Sequence, residues 1–221
     1  MMKLLDTISA LLFPPKCLLC RKVLNDEELD LCHTCRVEAP ECPISRKKLP
    51  FVDSWAAVWY YEDWVRRSIL RYKFYGARGN AHGYGRHLAM KLQQEHPEGF
   101  DLVTWVPISS LRRLRRGYDQ VELLAEAVCK EANLQSACLL KKIRNNRAQS
   151  GITGYAQRRA NVLGVYRITD PELVQGKRIL LLDDVITTGA TVSECARVLL
   201  TAGAKEVHCG AVAAARHQVK N

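Results

Sequence analysis

The segment Ile179–Thr191, ILLLDDVITTGAT, places two adjacent carboxylates and a threonine-rich turn directly after an apolar run. The apolar run predicts a buried strand, and the apolar periodicity after the turn predicts a helix. Asp183 and Asp184 can each accept a hydrogen bond from one hydroxyl of a vicinal diol. The turn would bring hydroxyls and backbone N–H groups to the N-terminus of that helix, which suits a phosphate monoester. The residues of the turn are Thr187, Thr188, Gly189, Ala190 and Thr191.

A diol beside a phosphate describes a ribose 5-phosphate, and other phosphate-binding motifs are absent from the sequence. A P-loop needs Gly-Lys-Ser/Thr, and a dinucleotide fingerprint needs G-x-G-x-x-G after the strand; neither is present. A divalent-metal site at Asp183 and Asp184 stays open as an alternative, but it would not explain the threonine-rich turn. The residues therefore favour a sugar-phosphate site.

Such a site needs a sheet that carries the acidic pair to its edge. Strands alternate with helices from residue 101 onward, which predicts a parallel, doubly wound α/β sheet. The strand with the acidic pair is expected at Ile179–Asp184 and its helix at Ala190–Ala202. Other strands are expected at Ser54–Tyr61, Leu102–Val106, Leu139–Ile143, Gly164–Ile168 and Glu206–Ala213. Ligands of open α/β sheets bind at the carboxyl ends of the strands, where Asp183 and Asp184 would lie.

Two arginine-rich stretches could supply positive charge to an anionic ligand. Four arginines fall within five residues after the strand at Leu102–Val106, and a long segment, Arg144–Arg159, has almost no apolar content. The first suits phosphate or pyrophosphate capture, and the second suits a mobile lid. The alternatives are a solvated basic face and a disordered surface loop.

Two Cys-x-x-Cys pairs near the N-terminus have the spacing of a metal site. Their cysteines are Cys17, Cys20, Cys32 and Cys35. Four thiolates can surround Zn²⁺ tetrahedrally and leave no open position, so the ion would be structural. The eleven residues between the pairs have too few apolar side chains to fold by burial, and a metal would stabilise them. A redox pair is the alternative; His33 is not expected to be a ligand, and Cys42 is expected to be a spare or substitute thiol.

Composition narrows the class of protein and its partners. The 221 residues allow one ordinary domain with a small appendage, and the net charge of +10 favours an anionic partner, either nucleic acid or a phosphorylated small molecule. The start of the chain lacks a signal-peptide cleavage site, and no stretch reaches the ~20 apolar residues of a membrane span. Paired cysteines that bind metal are typical of a reducing compartment, so a cytoplasmic location without membrane insertion is expected.

The sequence also resembles a known family. LLLDDVITTGAT is similar to the phosphoribosyl pyrophosphate (PRPP) motif of type I phosphoribosyltransferases. The double Cys-x-x-Cys, the segments RYKFYG and RRLRRGYDQ, and the pattern Gln149…Arg158-x-x-Asn161 narrow the resemblance to the ComF family. It covers nearly the whole chain. It implies a type I phosphoribosyltransferase fold over residues 50–221 and a zinc-ribbon-like domain over residues 1–45.

The resemblance further implies ligands and roles. Asp183 and Asp184 would bind the ribose hydroxyls of PRPP, the turn after them would hold the 5′-phosphate, and Mg²⁺ would accompany the pyrophosphate. Other family-typical positions near PRPP are Lys73, Arg116 and Gln120, with Arg147 and Arg158 on a closing loop. Two functions stay open: a role in DNA uptake during natural transformation, with single-stranded DNA and competence proteins as partners, or nucleobase salvage by an active phosphoribosyltransferase. No residue is identified as a general base.

Overall fold

The computed structural model describes residues 14–43, 48–144 and 161–216. Its helices are α1 (His33–Glu38), α2 (Asp63–Phe74), α3 (Asn80–Glu95), α4 (Ser110–Arg116), α5 (Gln120–Ala132) and α6 (Ala190–Thr201), with a 3₁₀ turn at Glu172–Val174. Its strands are β1 (Ser54–Tyr60), β2 (Leu102–Trp105), β3 (Leu140–Lys142), β4 (Tyr166–Ile168), β5 (Arg178–Ile186) and β6 (Glu206–Ala214).

Four strands form a parallel sheet in the order β1-β6-β5-β2. The central strand β5 carries the run Ile179–Leu182, whose side chains are fully buried, as expected for a parallel strand covered on both faces. One face packs against α2, α3 and α5, and the other packs against α6 and the β3–β4 pair. The predicted parallel, doubly wound α/β sheet is confirmed.

The strands β3 and β4 differ from the expectation. They form close to Leu139–Ile143 and Gly164–Ile168, but they pair with each other in antiparallel fashion and lie outside the parallel sheet. A parallel neighbour needs a crossover, usually a helix with an apolar face. The intervening segment Arg144–Arg159 has almost no apolar residues to form such a face, so these two strands pair with each other.

Close packing of α3 on α5 supports the helix that begins with Gln120. A Cβ on Gly85 would lie 2.4 Å from the Cβ of Ala127, so only glycine permits this approach. The buried side chains of Tyr84 and Leu88 on α3 join the same cluster as Val121 and Leu124 on α5. This contact fixes the position of α5 in the fold. The first residue of α5, Gln120, belongs to the candidate site.

The cysteine-containing segment packs directly on α2 and α3. Arg71 donates a hydrogen bond to the Leu19 carbonyl at 2.6 Å, and Ser68 donates one to the Leu18 carbonyl. Arg86 forms an ion pair with Asp30 at 2.6 Å. The leucines of this segment share a core cluster with α2 and α3. The boundary between residues 1–45 and 50–221 stays a prediction. Among the described residues, no helix is long and apolar enough to cross a membrane.

Candidate functional site

The acidic pair lies at the carboxyl end of the central strand. Strand β2 ends at Trp105, opposite Leu182, so one side of β5 is free of a strand partner from Asp183 onward. On the other side, β5 stays paired with β6 through Ile186. Because successive side chains of a strand point to opposite faces, Asp183 and Asp184 face the two different sides of the sheet.

Asp184 is buried and held by two of the predicted site residues. Lys73 Nζ lies 2.8 Å from its Oδ1, and Gln120 Nε2 donates to its Oδ2 at 2.8 Å. Arg116 in turn donates to Oε1 of Gln120 at 2.7 Å. The structure therefore brings together Lys73, Arg116, Gln120 and Asp184, which lie on three helices and one strand.

Two residues that the sequence analysis did not select hold Gln120 in place. Asp119 caps α5 by accepting from the N–H groups of Val121 and Glu122, and it also accepts from Ile108 N–H at 3.2 Å. Tyr72 donates its hydroxyl to the Gln120 carbonyl at 2.5 Å. An aspartate before a helix is a recognisable N-cap, so Asp119 could have been found in the sequence. Nothing in the sequence marks the contact of Tyr72.

Asp183 is half-buried, and its Oδ1 accepts a hydrogen bond from the Asp184 N–H at 2.8 Å. Burial, and then the negative charge of Asp184, raise the pKa of the Asp183 carboxyl well above its usual range, while Lys73 opposes the shift. The pair therefore holds less than two full negative charges near neutral pH. A reduced negative charge lowers the repulsion that an anionic ligand would meet.

A lysine that the sequence analysis missed lies near Asp183. Burial lowers the pKa of Lys142 to about 8, the charge of Arg112 adds to the shift, and the charge of Asp183 opposes it. The Lys142 Nζ lies 5.7 Å from the centre of the Tyr166 ring. The β3–β4 pair thus brings a cation to the second face of the acidic pair, and because the pair forms through tertiary contacts, no local pattern indicated it.

The turn after β5 begins helix α6 at Gly189, which has a φ of +79°. A Cβ at this position would lie 2.5 Å from Cδ2 of Leu49, so the turn is packed from behind by the segment before β1. The N–H of Ala190 lies 3.4 Å from Thr188 Oγ1. Within the described residues, α6 has no side-chain N-cap hydrogen bond and no acidic residue in its first turn. A helix N-terminus of this kind suits an anion.

The four-arginine run forms α4, capped by Ser109, and none of its side chains is buried. Only Arg116 reaches the Asp184 network, while Arg113 forms an ion pair with Glu122 at 2.7 Å. Arg147 and Arg158 lie outside the described residues, and their predicted role stays a prediction.

The four cysteines of the two Cys-x-x-Cys pairs form one cluster. Their sulfur atoms all lie within 4.8 Å of one another, and Cys20 Sγ and Cys32 Sγ are 3.6 Å apart. Metal–sulfur bonds of about 2.3 Å in a tetrahedron require sulfur–sulfur separations of about 3.8 Å. The cluster therefore fits a single tetrahedral metal ion. Neither His33 nor Cys42 belongs to the cluster.

Comparisons with known proteins agree with this architecture. A family model described as the phosphoribosyl transferase domain matches residues 120–221. Competence protein F of Haemophilus influenzae is 25% identical over 90% of this chain and 97% of its own length. Competence protein ComFC of Bacillus subtilis is 28% identical, over 66% of this chain and 58% of its own. DNA utilization protein YhgH of Escherichia coli O157:H7 is 33% identical, over 48% of this chain and 46% of its own.

A parallel sheet with an acidic pair and a glycine-initiated helix at its carboxyl end defines a protein with the type I phosphoribosyltransferase fold. The cysteine cluster and the competence-protein relatives support a ComF-family protein. The fold that the sequence motifs indicated is confirmed, and the relatives agree with the family resemblance. The alignment spans nearly the whole Haemophilus protein but about half of the Escherichia protein.

Proposed function

We propose that this chain binds PRPP at the acidic edge of β5 and acts in DNA uptake. The observation that carries the proposal is the placement of Asp184, held by Lys73 and Gln120, directly before the Gly189 turn. Asp183 and Asp184 bind the ribose hydroxyls, and the residues from Thr187 to Thr191 bind the 5′-phosphate. Lys73 and Arg116 face the pyrophosphate, together with Mg²⁺, which neutralises phosphate charge in such sites. Arg147 and Arg158 close over the ligand.

The role in DNA uptake is supported by the relatives and by charge. Competence and DNA utilization are in the names of the three relatives described above. A net charge of +10 favours direct contact with single-stranded DNA. The nucleobase-salvage alternative receives no added support from these relatives. Nine cysteines without a disulfide among the described residues support a cytoplasmic, reducing location.

The metal of the cysteine cluster is proposed to be structural Zn²⁺. Four thiolates satisfy its preferred coordination and leave no position for a substrate. The segment that bears them contacts α2 through carbonyl groups that Arg71 and Ser68 engage. Zinc binding would therefore hold the two Cys-x-x-Cys pairs against α2, the helix that carries Lys73.

The proposal is tested by calorimetric titration of PRPP with Mg²⁺ into the zinc-loaded chain. Each charged hydrogen bond is worth about 1.5–3 kcal/mol, so the double variant Asp183→Asn/Asp184→Asn should lose about 100-fold or more in affinity. Asp170→Asn, an exposed aspartate outside the site, is the matched control and should bind as the parent does. An unchanged PRPP affinity in a folded double variant would refute the ribose assignment.

The cellular role needs a separate measurement. The chain is expressed in Haemophilus influenzae that lacks its competence protein F, and the transformation frequency is measured. Restoration by the parent chain, but not by Asp183→Asn/Asp184→Asn, is the expected result. Absence of restoration, together with no binding of single-stranded DNA at low salt, would contradict the DNA-uptake role. Pyrophosphate release from PRPP in the presence of a nucleobase would instead favour the salvage function.

A further inference from the structure

A cavity lies between the first cysteine knuckle, which is the Cys-x-x-Cys pair at Cys17 and Cys20 with its flanking residues, and the turn that joins α2 to α3. Its volume is about 440 Å³, within the range of about 300–1,000 Å³ that small-molecule sites occupy. We propose that this cavity binds a phosphate group, carried either by a nucleic-acid strand or by a small phosphorylated molecule. None of the candidate PRPP residues lines it, so the inference is independent of the proposed PRPP site, while its nucleic-acid form rests on the proposed contact with single-stranded DNA.

Positive charge converges on the cavity. Its walls contain Lys16 and Arg21 from the knuckle and Arg71 and Arg78 from the helix and turn, and among the described residues no carboxylate lines it. None of these four cations takes part in an ion pair with a described residue. Cations without carboxylate partners that share one concave surface favour an anion there.

The negative charge of a metal centre at the four cysteines would neutralise only part of the positive charge of these four cations. Cys17 lies on the wall of the cavity. A divalent ion with four thiolates carries a net charge of −2, which two of the four cations would neutralise. A surplus of +2 then remains for a ligand, and a phosphate monoester near neutral pH carries about −1.5 to −2.

Two of the cations are already fixed by neutral groups. Arg71 donates to the Leu19 carbonyl at 2.6 Å, and the Arg78 guanidinium lies 4.6 Å from the centre of the Tyr118 ring. Because their side chains are held before a ligand arrives, little conformational entropy is lost on binding. Arginine also matches phosphate geometry through two parallel N–H donors.

The turn before helix α3 leaves open space at the wall of the cavity. Helix α3 has 16 residues and begins at Asn80, after an N-cap at Gly79 that has no side-chain cap within the described residues. The N–H groups of Asn80, Ala81 and His82 already donate to carbonyls of the preceding turn, so the anion would be held by the cations rather than by these groups. A Cβ on Gly79 would meet no atom within 4 Å, so a ligand can approach the cations over this turn.

The neighbouring surface suits a strand as the carrier of the phosphate. Tyr75 directly precedes the turn and is 79% exposed, whereas the ring of Phe74 lies under the Arg116 guanidinium, 4.8 Å from its centre. An exposed aromatic ring beside cations is a usual platform for an unpaired base. A small molecule such as a nucleotide would use the same cations without the Tyr75 ring.

The test measures binding to the full zinc-loaded chain by fluorescence anisotropy, with a labelled, 5′-phosphorylated oligothymidine as the probe. Two variants remove charge from opposite walls: Lys16→Gln/Arg21→Gln from the knuckle, and Arg78→Gln from the turn. Lys130→Gln, an exposed cation on α5, is the control matched in net charge to Arg78→Gln, and Lys130→Gln/Lys141→Gln, at two exposed lysines, is matched to the knuckle variant. Pyrophosphate and adenosine monophosphate serve as competitors, and zinc content is measured for every variant.

Each wall variant should lower probe affinity about tenfold or more, while Lys130→Gln changes it less than twofold. If the knuckle variant loses zinc, the result for Arg78→Gln decides. Competition by the nucleotide assigns the site to small molecules, and its absence assigns the site to a strand. The proposal is wrong if both zinc-containing wall variants bind the probe as the parent does, or if the matched control loses as much.

PRPP affinity should be unchanged in the wall variants. Asp183→Asn/Asp184→Asn should lose PRPP binding and keep probe binding, so the two proposed sites can be refuted independently.

Discussion

Replacement of Gly189 by alanine should destabilise the protein and weaken PRPP binding for two separable reasons. The backbone at Gly189 has a φ of +79°, a conformation that disfavours any side chain. The new Cβ would also lie 2.5 Å from Cδ2 of Leu49, which is buried behind the turn. The first effect is strain in the backbone conformation, and the second is a steric clash with a buried side chain.

The two contributions can be estimated from the geometry. A left-handed conformation costs a non-glycine residue about 1–2 kcal/mol. Carbon atoms pack at about 3.5–4.0 Å, so the Cβ would intrude by more than 1 Å, and overpacking of this kind costs about 1–3 kcal/mol. Gly189→Ala should therefore lose about 2–5 kcal/mol. Gly99→Ala is the matched control, because Gly99 has a φ of +69° with nothing within 4 Å, and it should lose only about 1–2 kcal/mol.

Urea denaturation followed by circular dichroism measures both variants, and thermal midpoints should fall by about 2–4 °C for each kcal/mol. Leu49→Ala removes the obstructing methyl groups. Combined with Gly189→Ala, it should therefore give a loss about 1–3 kcal/mol smaller than the sum of the two single losses. Equal losses for Gly189→Ala and Gly99→Ala, or strict additivity with Leu49→Ala, would refute the packing argument.

Two further predictions concern the metal centre and pH. Cys17→Ser should lower bound zinc below one ion per chain in elemental analysis, whereas Cys42→Ser, a buried thiol outside the cluster, should keep it; equal zinc in both would contradict the four-thiolate site. Burial holds the pKa of His208 below its ordinary value of 6.5, and the hydrogen bond to Glu206 opposes the shift. Because the unfolded chain takes up this proton first as the pH falls, stability should be lost from about pH 7 downward. His208→Asn should flatten the loss below about pH 7 in denaturation curves, and parallel curves would contradict it.

Local patterns predicted the central elements well. Strand β5 was expected at Ile179–Asp184 and occupies Arg178–Ile186, and its helix was expected at Ala190–Ala202 and occupies Ala190–Thr201. Both elements follow from apolar periodicity, which is a property of neighbouring residues. The arginine run after β2 was given no secondary structure, because α4 buries none of its side chains and so has no apolar stripe to recognise.

Contacts between distant parts of the chain had no local pattern to indicate them. Gln120 reaches Asp184 across 64 residues, and Leu49 supports Gly189 from a segment that the sequence marked only as a junction. The family resemblance placed Lys73 and Gln120 near PRPP, but it did not say that both contact Asp184. Likewise, Lys142 comes within electrostatic range of Asp183 only because β3 and β4 pair with each other. Such contacts follow from topology, so a sequence pattern alone could not have placed them.

The hydrogen bonds of Asp184 also determine how a sugar can bind. Each of its two oxygens already accepts one donor, from Lys73 and from Gln120. An ionised carboxylate offers about four acceptor positions, so about two remain for ribose hydroxyls. Removal of either donor would free an acceptor but leave a buried carboxylate with less compensation, which costs more than an acceptor gains. Lys73 and Gln120 therefore serve the site by orienting Asp184 before the ligand arrives, and Arg116 orients Gln120 in turn.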